Sequence, residues 1–216
     1  MPESSPENRL TSVRAWLPLA GIAVVALALR LYRIETESVD LEEYVALAPL
    51  HTAGSLWAYL AALRTTDVVI APVPFVLGYA WSLPAGSAPA AMRLLFVLLS
   101  LAHLPLLYAL GRVMFGPGRA GRFAGLLAAA CFALSPVHIF HAQEYRHTTT
   151  MTLLALCSTY CMARGLVDGH RKWWALNLAA NGLLSLTHLL SGPLFWGIQG
   201  LFLVVYRFRN VRFLLA

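Results

Sequence analysis

Ala15-Trp-Leu-Pro-Leu-Ala-Gly-Ile-Ala-Val-Val-Ala-Leu-Ala-Leu-Arg-Leu-Tyr-Arg-Ile34 is a predominantly apolar run near the start of the chain. A helix of about 20 such residues crosses the roughly 30 Å hydrocarbon core of a bilayer. Arg9 and Arg14 precede the run, which favours a cytoplasmic N-terminus. A cleaved signal peptide would have a shorter apolar run and a cleavage site of small residues. The sequence therefore predicts a retained first membrane helix that ends in an interfacial anchor, Arg30-Leu-Tyr-Arg33.

The rest of the chain has the same apolar character. Of its 216 residues, 59% are hydrophobic and only 12% are charged, whereas average soluble domains carry about 25% charged residues. This composition excludes a soluble globular enzyme and a disordered chain. Six further apolar runs follow at short intervals: Val68–Leu83, Ala90–Leu110, Phe123–Phe140, Thr148–Ala163, Trp173–Leu190 and Leu194–Phe208. The sequence predicts an all-α, polytopic membrane protein with about seven transmembrane helices.

The positive charge of the chain does not indicate a nucleic-acid partner. The formal net charge is +6, with 16 Lys and Arg residues. These residues lie in short clusters between the apolar runs rather than on one face, which is typical of signals that set membrane topology. The surroundings predicted from the sequence are membrane lipids, and no nucleic acid is expected among the partners.

The segment 35–67 is the most acidic part of the chain. It contains six of the ten acidic residues and a single basic one, Arg64. With the N-terminus inside, this segment is expected on the outer face of the membrane. Apolar residues recur at helical spacing before and after Pro49: Leu41, Tyr44, Val45 and Ala48, then Leu56, Trp57, Leu60 and Leu63. The spacing predicts two short amphipathic helices at the membrane surface, with a solvated loop as the alternative.

Charge and hydropathy divide the chain into a cytoplasmic tail (1–14), a transmembrane core (15–208) and a basic C-terminal end (209–216). By the positive-inside rule, three basic clusters lie in the cytoplasm: Arg112–Arg122, Arg164–Lys172 and Arg207–Arg212. This topology requires Val68–Leu110 to cross the membrane an odd number of times, although it has the length of two helices. Either one of these helices is short, tilted or re-entrant, or the charge rule fails here.

The first candidate for chemistry is Ser38-Val-Asp-Leu-Glu-Glu43, which follows the first helix. On a helix, Asp40 and Glu43 lie one turn apart, with Glu42 beside them. Neighbouring carboxylates raise one another's pKa, which suits a general base, or they share a divalent cation. The sequence does not separate these two uses, and helix capping with surface acidity is the alternative to both.

The second candidate is a polar segment between two apolar runs. It contains His138, His141, Gln143, Glu144, Arg146 and His147. Arg146 can bind a phosphate through two parallel hydrogen bonds, with Gln143 and the histidines as further donors. The alternative is an ordinary loop in which Glu144 pairs with Arg146. A metal site is weakly supported, because the segment lacks the usual i,i+4 pair of histidines.

Arg93 and His188 are isolated polar residues near the ends of apolar runs. A charged side chain at membrane depth costs several kcal/mol unless it is paired or hydrated, so Arg93 is a functional candidate. Snorkelling to the interface is the alternative for Arg93. A lone histidine at an interface is more often structural than functional, and His188 is therefore a weaker candidate.

The order of these motifs resembles that of the membrane-embedded GT-C glycosyltransferases. Most similar are the dolichyl-phosphate-mannose protein mannosyltransferases and their bacterial relatives, including the aminoarabinose transferases that act on lipid A. The most specific match is the pattern Ser-Pro-x-x-Ile-x-x-x-Gln-Glu-x-Arg, present from Ser135 to Arg146. The other matches are Ser38-Val-Asp-Leu-Glu-Glu43, Ala91-Met-Arg-Leu94, Gly111-Arg-Val-Met-Phe-Gly116 and Thr187-His188.

The resemblance implies an enzyme that moves a sugar from a polyprenyl-phosphate donor to a lipid, glycan or protein acceptor, with inversion of the anomeric centre. It implies a bacterial inner or plasma membrane location and an active site on the outer face. The base would be Glu42 or Glu43, with Asp40 as the alternate. The residues on the donor-phosphate side would be Arg146, Gln143, Glu144, His141, His188 and Arg93. No cofactor is implied with certainty, and a divalent cation is the one candidate.

Three departures from the family pattern favour a second hypothesis. The first acidic position of the motif is usually Asp but is Glu42 here, and the family's His-Pro before Pro72 is replaced by Ile70-Ala71. The chain is also shorter than family members, so it is expected to be a truncated reading frame or a stand-alone core. These departures suit a non-catalytic lipid-binding or partner-binding subunit. A transporter is disfavoured, because the polar groups cluster at helix ends.

Overall fold

The computed structural model describes residues 6–36, 38–66 and 72–214, and in them it contains helices and no strand. Glu37 and Asp67 of the acidic segment, and Ile70-Ala71 at the position of the family's His-Pro, lie outside these ranges. The α-helices in chain order are α1 (Pro6–Leu31), α2 (Leu41–Leu47), α3 (Leu56–Thr66), α4 (Pro72–Ala85), α5 (Pro89–Phe115), α6 (Arg119–Leu134), α7 (Pro136–Ala142), α8 (His147–Asp168), α9 (Arg171–Ser185) and α10 (Ser191–Leu214), with a 3₁₀ turn at Ala48–His51 between α2 and α3.

The all-α membrane-type fold predicted from the apolar runs is confirmed. Helices α5 and α8 are long and apolar enough to cross a membrane, and the bent pair α6–α7 forms a third candidate span. Shorter apolar helices cover Trp16–Leu31 and Ser191–Tyr206. By length and composition, two or three helices of the described residues qualify as membrane spans. The number of about seven transmembrane helices stays a prediction from the sequence. Helix α1 begins at Pro6, within the part of the chain that the sequence suggested was a tail.

The break between α6 and α7 has a local cause. The two helices meet at 64°, and Ser135 is extended there because it precedes Pro136. Pro136 has no N–H to donate to the carbonyl of Phe132. Fully buried Arg30 donates instead to the carbonyls of Phe132 (3.4 Å) and Ala133 (3.1 Å). Arg30 thus caps the broken helix and is not the interfacial anchor that its position in the sequence suggested.

The two ends of the helix bundle differ in charge. We call one of them the acidic end. It contains α2 and α3, and beside these helices lie the C-terminus of α1, the start of α5 and the junctions α7–α8 and α9–α10. Three contacts join these parts: Gln143 to the Tyr32 carbonyl (2.8 Å), Arg93 to Glu43 (2.6 Å), and the stacked rings of His147 and His188 (centroids 5.1 Å apart). The opposite, basic end contains the junctions α5–α6 and α8–α9, with Arg112, Arg119, Arg122, Arg164, Arg171 and Lys172.

Helix α4 lies at one end of the bundle and does not run between its two ends. Its described part, Pro72–Ala85, has 14 residues and is about 21 Å long. Both of its ends contact the acidic end of the bundle. At its start, Val73 donates to the Leu186 carbonyl (3.2 Å), and just beyond its end Ser87 bonds His51 (2.8 Å). Because α4 lies across the acidic end, only α5 runs from this end to the basic end between residues 72 and 115.

The acidic segment forms the two short helices that its spacing predicts, but α2 packs on a different face. The structure exposes Leu41 and Tyr44 and buries Glu43, Ala46 and Leu47. The reason is the ion pair that Glu43 makes inside the protein, while apolar side chains exposed at a membrane surface carry little penalty. The buried residues of α2 and α3 pack in one cluster with the start of α5 and the α7–α8 junction.

Helices α5 and α6 touch through their backbones at glycines. A Cβ on Gly125 would lie 2.5 Å from the Tyr108 carbonyl oxygen, well inside van der Waals contact. We expect Gly125→Ala to force the helices apart and lower stability by about 1–3 kcal/mol. The measurement is the thermal midpoint of the detergent-purified protein. Gly182→Ala on α9 is the matched control, since its Cβ would meet nothing within 4 Å, and an unchanged midpoint for Gly125→Ala would contradict the packing.

Helices α8, α9 and α10 are joined by buried amide and hydroxyl groups. Asn181 donates to Gln199 (2.9 Å), Gln199 donates to Ser158 (2.8 Å), and Ser158 donates back to Asn181 (3.0 Å). Asn177 donates to Ser158 and Gln199 as well. Such hydrogen bonds hold apolar helices together where water cannot compete. The network fixes the packing of the last three helices without unpaired polar atoms among these four side chains.

Candidate active site

A buried ion pair anchors the acidic segment to the bundle. Arg93 donates from Nε to Glu43 Oε1 (2.8 Å) and from Nη2 to Glu43 Oε2 (2.6 Å), and both side chains are only 2% exposed. Arg93 also donates to the carbonyls of Ile34 and Ser38. One guanidinium from α5 therefore holds the chain between α1 and α2 as well as α2 itself. The parallel hydrogen bonds give this contact a fixed geometry.

This environment gives Glu43 and Arg93 a positioning role. Besides the two bonds from Arg93, Glu43 Oε1 accepts the Tyr145 backbone N–H (3.3 Å). A carboxylate that is buried and bonded in this way is poorly placed to take a proton from an acceptor. The same burial keeps Arg93 away from a donor phosphate. Of the three carboxylates that the sequence offers as the base, the geometry leaves Asp40 and Glu42 as the accessible ones.

Arg146 brings the two predicted motifs together. Its Nη2 lies 2.6 Å from Glu42 and 3.3 Å from Asp40. The two carboxylates are open to solvent, with Asp40 41% and Glu42 67% exposed, while Arg146 is 22% exposed. Asp40 also caps α2, because its Oδ1 accepts the Glu43 N–H at 2.7 Å. An accessible cation and two accessible carboxylates therefore meet at one point on the acidic end.

Glu144 and His141 form a second pair beside this group. His141 Nδ1 lies 3.2 Å from Glu144 Oε2, and Arg146 Nη1 lies 3.8 Å from Glu144 Oε1. Burial raises the pKa of the Glu144 carboxyl above its usual range, and the contacts with His141 and Arg146 only partly oppose this effect. Glu144 is thus more readily protonated than an exposed glutamate. Its side chain is 10% exposed and is therefore less accessible than those of Asp40 and Glu42.

Gln143 connects the α7–α8 junction to the first helix. Its amide donates to the carbonyls of Arg30 (3.0 Å) and Tyr32 (2.8 Å) at the end of α1. These bonds satisfy carbonyls that have no partner within the ending helix. They occupy the amide N–H groups that the sequence offered to a phosphate. In the structure, Gln143 positions the segment that carries Arg146.

His188 lies in the group, stacked on His147 from the second candidate segment. The His147 and His188 rings stack at 5.1 Å, with an interplanar angle of 25°. His147 is the first residue of α8, directly after Arg146; what the sequence did not show is its pairing with His188. His188 Nδ1 accepts the Ser191 N–H (3.1 Å) and lies 2.8 Å from the Ser191 hydroxyl. His188 therefore caps the start of α10.

The described residues contain no group of three or more His, Cys, Asp or Glu side chains arranged to hold a metal ion. The carboxylates of Asp40 and Glu42 both contact the Arg146 guanidinium. Chemically, this arrangement combines a base, which can accept a proton from an attacking hydroxyl, with a cation that can bind an anionic leaving group. Both lie at a helix-bundle end lined by aromatic and apolar residues.

Comparison with known protein families gives a match that covers most of the chain. The sequence profile of the dolichyl-phosphate-mannose-protein mannosyltransferase family matches residues 73–214. This range begins near the start of α4 and includes Arg93, the whole α7–α8 junction and His188. It does not include Asp40, Glu42 or Glu43. No curated protein and no solved structure matches the chain.

Proposed function

The chain belongs to the dolichyl-phosphate-mannose-protein mannosyltransferase family, which is of the GT-C type, and on that premise we propose that it transfers a sugar from a polyprenyl-phosphate donor to a lipid, glycan or protein acceptor. The observation that carries this proposal is the contact of Arg146 with Glu42 (2.6 Å) and Asp40 (3.3 Å). Arg146 lies inside the matched range, and the two carboxylates lie outside it. The structure thus brings family residues and the acidic segment into one group.

In the proposed reaction, Glu42 is the base. Its carboxylate accepts the proton of the acceptor hydroxyl or amine while the acceptor oxygen or nitrogen attacks the anomeric carbon. The bond between that carbon and the phosphate oxygen breaks on the opposite face, so the configuration inverts. Asp40 is the alternate base, since it contacts the same guanidinium and is also exposed. Glu43, which was predicted as a base, positions α2 through Arg93.

Arg146 and His188 are the proposed ligands of the donor phosphate. When the sugar leaves, the bridging phosphate oxygen gains negative charge, and a nearby guanidinium stabilises that charge in a low-dielectric site. Glu144 pairs with Arg146 at 3.8 Å and is itself contacted by His141 at 3.2 Å. Gln143 and Arg93 act through position: Gln143 fixes the junction against α1, and Arg93 fixes the acidic segment.

We propose that the acidic end faces the outer side of a bacterial inner or plasma membrane. The six Lys and Arg residues of the junctions α5–α6 and α8–α9 all lie at the opposite end, which the positive-inside rule assigns to the cytoplasm. With α4 lying across the acidic end, spans at α1, α5, α6–α7, α8, α9 and α10 satisfy this rule at every junction. The donor would then be a lipid-linked sugar available in the outer leaflet.

Mass spectrometry of envelope glycans and glycolipids tests the proposal. A deletion strain is compared with strains complemented by the wild type or by the double variant Asp40→Asn/Glu42→Gln. We expect one sugar mass to disappear on deletion and to return only with the wild type, because the variant retains the size of both side chains but lacks both bases. The missing mass identifies the sugar, and the molecule that carries it identifies the acceptor.

The same experiment tests the second hypothesis, a non-catalytic subunit. The observation that favours it is the 2.6 Å contact that holds Glu42 against Arg146, since a paired carboxylate is less available as a base. A subunit needs the surface but not the base. Full restoration by the double variant, with membrane levels equal to the wild type, would therefore reject the carboxylate mechanism and support the subunit.

A further inference from the structure

Tyr145 is connected to both turns of the short helix α2, which carries the proposed base. In the first turn, Glu43 Oε1 accepts the Tyr145 backbone N–H at 3.3 Å. In the last turn, the Ala46 carbonyl accepts the Tyr59 hydroxyl at 3.0 Å. The Tyr59 oxygen lies in turn 3.0 Å from the Tyr145 hydroxyl. One residue of the α7–α8 junction therefore holds a helix of seven residues at both ends.

The two hydroxyls form a chain with a defined direction. Tyr59 gives its single hydroxyl proton to the Ala46 carbonyl, so the Tyr145 hydroxyl is the donor to the Tyr59 oxygen. Tyr59 is 0% and Tyr145 is 2% exposed. Burial raises the pKa of Tyr59 to about 12 and also raises the pKa of Tyr145. Both phenols therefore stay protonated around neutral pH, and the chain of hydrogen bonds does not titrate there.

The surroundings of Tyr145 fix its ring. The ring lies against Phe96 of α5, with centroids 5.3 Å apart, and edge-on to Phe75 of α4 at 6.4 Å. Its hydroxyl end reaches the backbone of α4 at Gly78, where an added Cβ would lie 2.6 Å from Tyr145 Cζ. Glycine is the residue that permits such a close approach to a backbone. The ring is thus held by α4 and α5, and its hydroxyl links these helices to α3 and α2.

We propose that Tyr145 and Tyr59 are positioning residues for sugar transfer, which set the position of Glu42 relative to Arg146. This inference rests on the proposed function and assigns residues that act through the base and the cation. Arg146 directly follows Tyr145, and Glu42 lies one turn before Ala46 on α2. A shift of either tyrosine therefore moves Glu42 and Arg146 with respect to each other.

The remaining contacts of α2 do not fix its orientation. Arg93 anchors the first turn, but a helix held at one end can pivot about that point. Ala46 and Leu47 are buried in the apolar cluster of the acidic end, but apolar burial is not directional. The hydrogen bond from Tyr59 adds a directional contact at the other end. Because a misplacement of about 1 Å can cost about 100-fold in rate, we expect this bond to affect the rate more than folding.

Steady-state kinetics of the full chain in phosphatidylcholine nanodiscs test this inference, with the polyprenyl-phosphate sugar identified by the envelope comparison. We expect Tyr59→Phe and Tyr145→Phe each to lower kcat about 10- to 100-fold and to change KM for the donor less than about threefold. The thermal midpoint should fall by no more than about 8 °C, because each variant loses one neutral hydroxyl and keeps its ring. Tyr79→Phe is the matched control and should have the kcat of the wild type. The Tyr79 ring stacks on Tyr59 at 6.0 Å, but its hydroxyl takes no part in the chain.

A double-mutant cycle separates positioning from a general loss of stability. If the tyrosines act through the base, adding Tyr59→Phe to Glu42→Gln should cost less than about twofold in kcat, because the proposed base is already gone. A loss of equal size in both backgrounds would overturn the inference. The pH profile of Tyr59→Phe should keep the inflections of the wild type, since both phenols stay protonated. A lost inflection would make Tyr59 an acid or base in its own right and would also overturn the positioning role.

The outcomes separate the inference from the proposed function. A wild type that transfers sugar, with both Phe variants within twofold of its kcat, overturns the inference and leaves the function intact. A wild type that transfers no sugar from the donor overturns the function, and the inference with it. If Tyr145→Phe does not fold, Tyr59→Phe decides the question alone, because it breaks the same link from the other side.

Discussion

Replacing Glu42 with Gln should lower the rate of sugar transfer by about 10²- to 10⁴-fold, which is the usual contribution of a general base. The amide has the size of the carboxylate but cannot accept the proton of the attacking group. Its oxygen can still accept a hydrogen bond from Arg146, so the geometry of the group should persist. The measurement is the initial transfer rate of the purified protein, with a polyprenyl-phosphate sugar of the mass found in the envelope comparison.

Two further variants make this result specific. Glu35→Gln removes an exposed carboxylate from the same acidic segment and should leave the transfer rate unchanged. Asp40→Asn retains a residue that caps α2 well and should reduce the rate less than Glu42→Gln. If Asp40→Asn abolishes transfer while Glu42→Gln retains it, Asp40 is the base. Activity that survives in the double variant would contradict a carboxylate base altogether.

Replacing Arg93 with Leu should lower the free energy of unfolding by about 3–5 kcal/mol, because it leaves the Glu43 carboxylate buried without its cation. Both side chains of the pair are 2% exposed, so water cannot replace the lost partner. The carbonyls of Ile34 and Ser38 would lose a donor as well. The measurement is the thermal midpoint of the detergent-purified protein, followed by the fraction that remains monodisperse after heating.

The double variant Arg93→Leu/Glu43→Leu should recover much of this loss, since an apolar pair of similar volume leaves no buried charge. Arg122→Ala is the control for loss of an exposed arginine and should change stability by no more than about 0.5 kcal/mol. If Arg93→Leu behaved like Arg122→Ala, Glu43 would not depend on its partner. Glu43 would then return as a candidate base.

The hydropathy pattern predicts most of the helices because it is a local property. Each apolar run of the sequence corresponds to helix in the described residues, and Ser135-Pro136 accounts for the break between α6 and α7. The path of α4 is different. Its composition predicts a helix, but only its contacts with Leu186 and His51 at both ends show that it lies across the acidic end. Periodicity specifies a helix and its apolar residues, not its direction in the bundle.

Apolar runs and short motifs were enough to indicate the class of this protein, an all-α membrane glycosyltransferase of the GT-C type, and to select the two segments that meet at the candidate site. Only the tertiary structure divided the roles among those residues. Asp40, Glu42 and Glu43 are close in sequence and chemically alike, yet Glu43 is buried against Arg93 while Glu42 and Asp40 remain accessible beside Arg146. His147 likewise stacks on His188, which is 41 residues away in the sequence. Burial and long-range pairing depend on which helices pack together, and a local pattern does not contain that information.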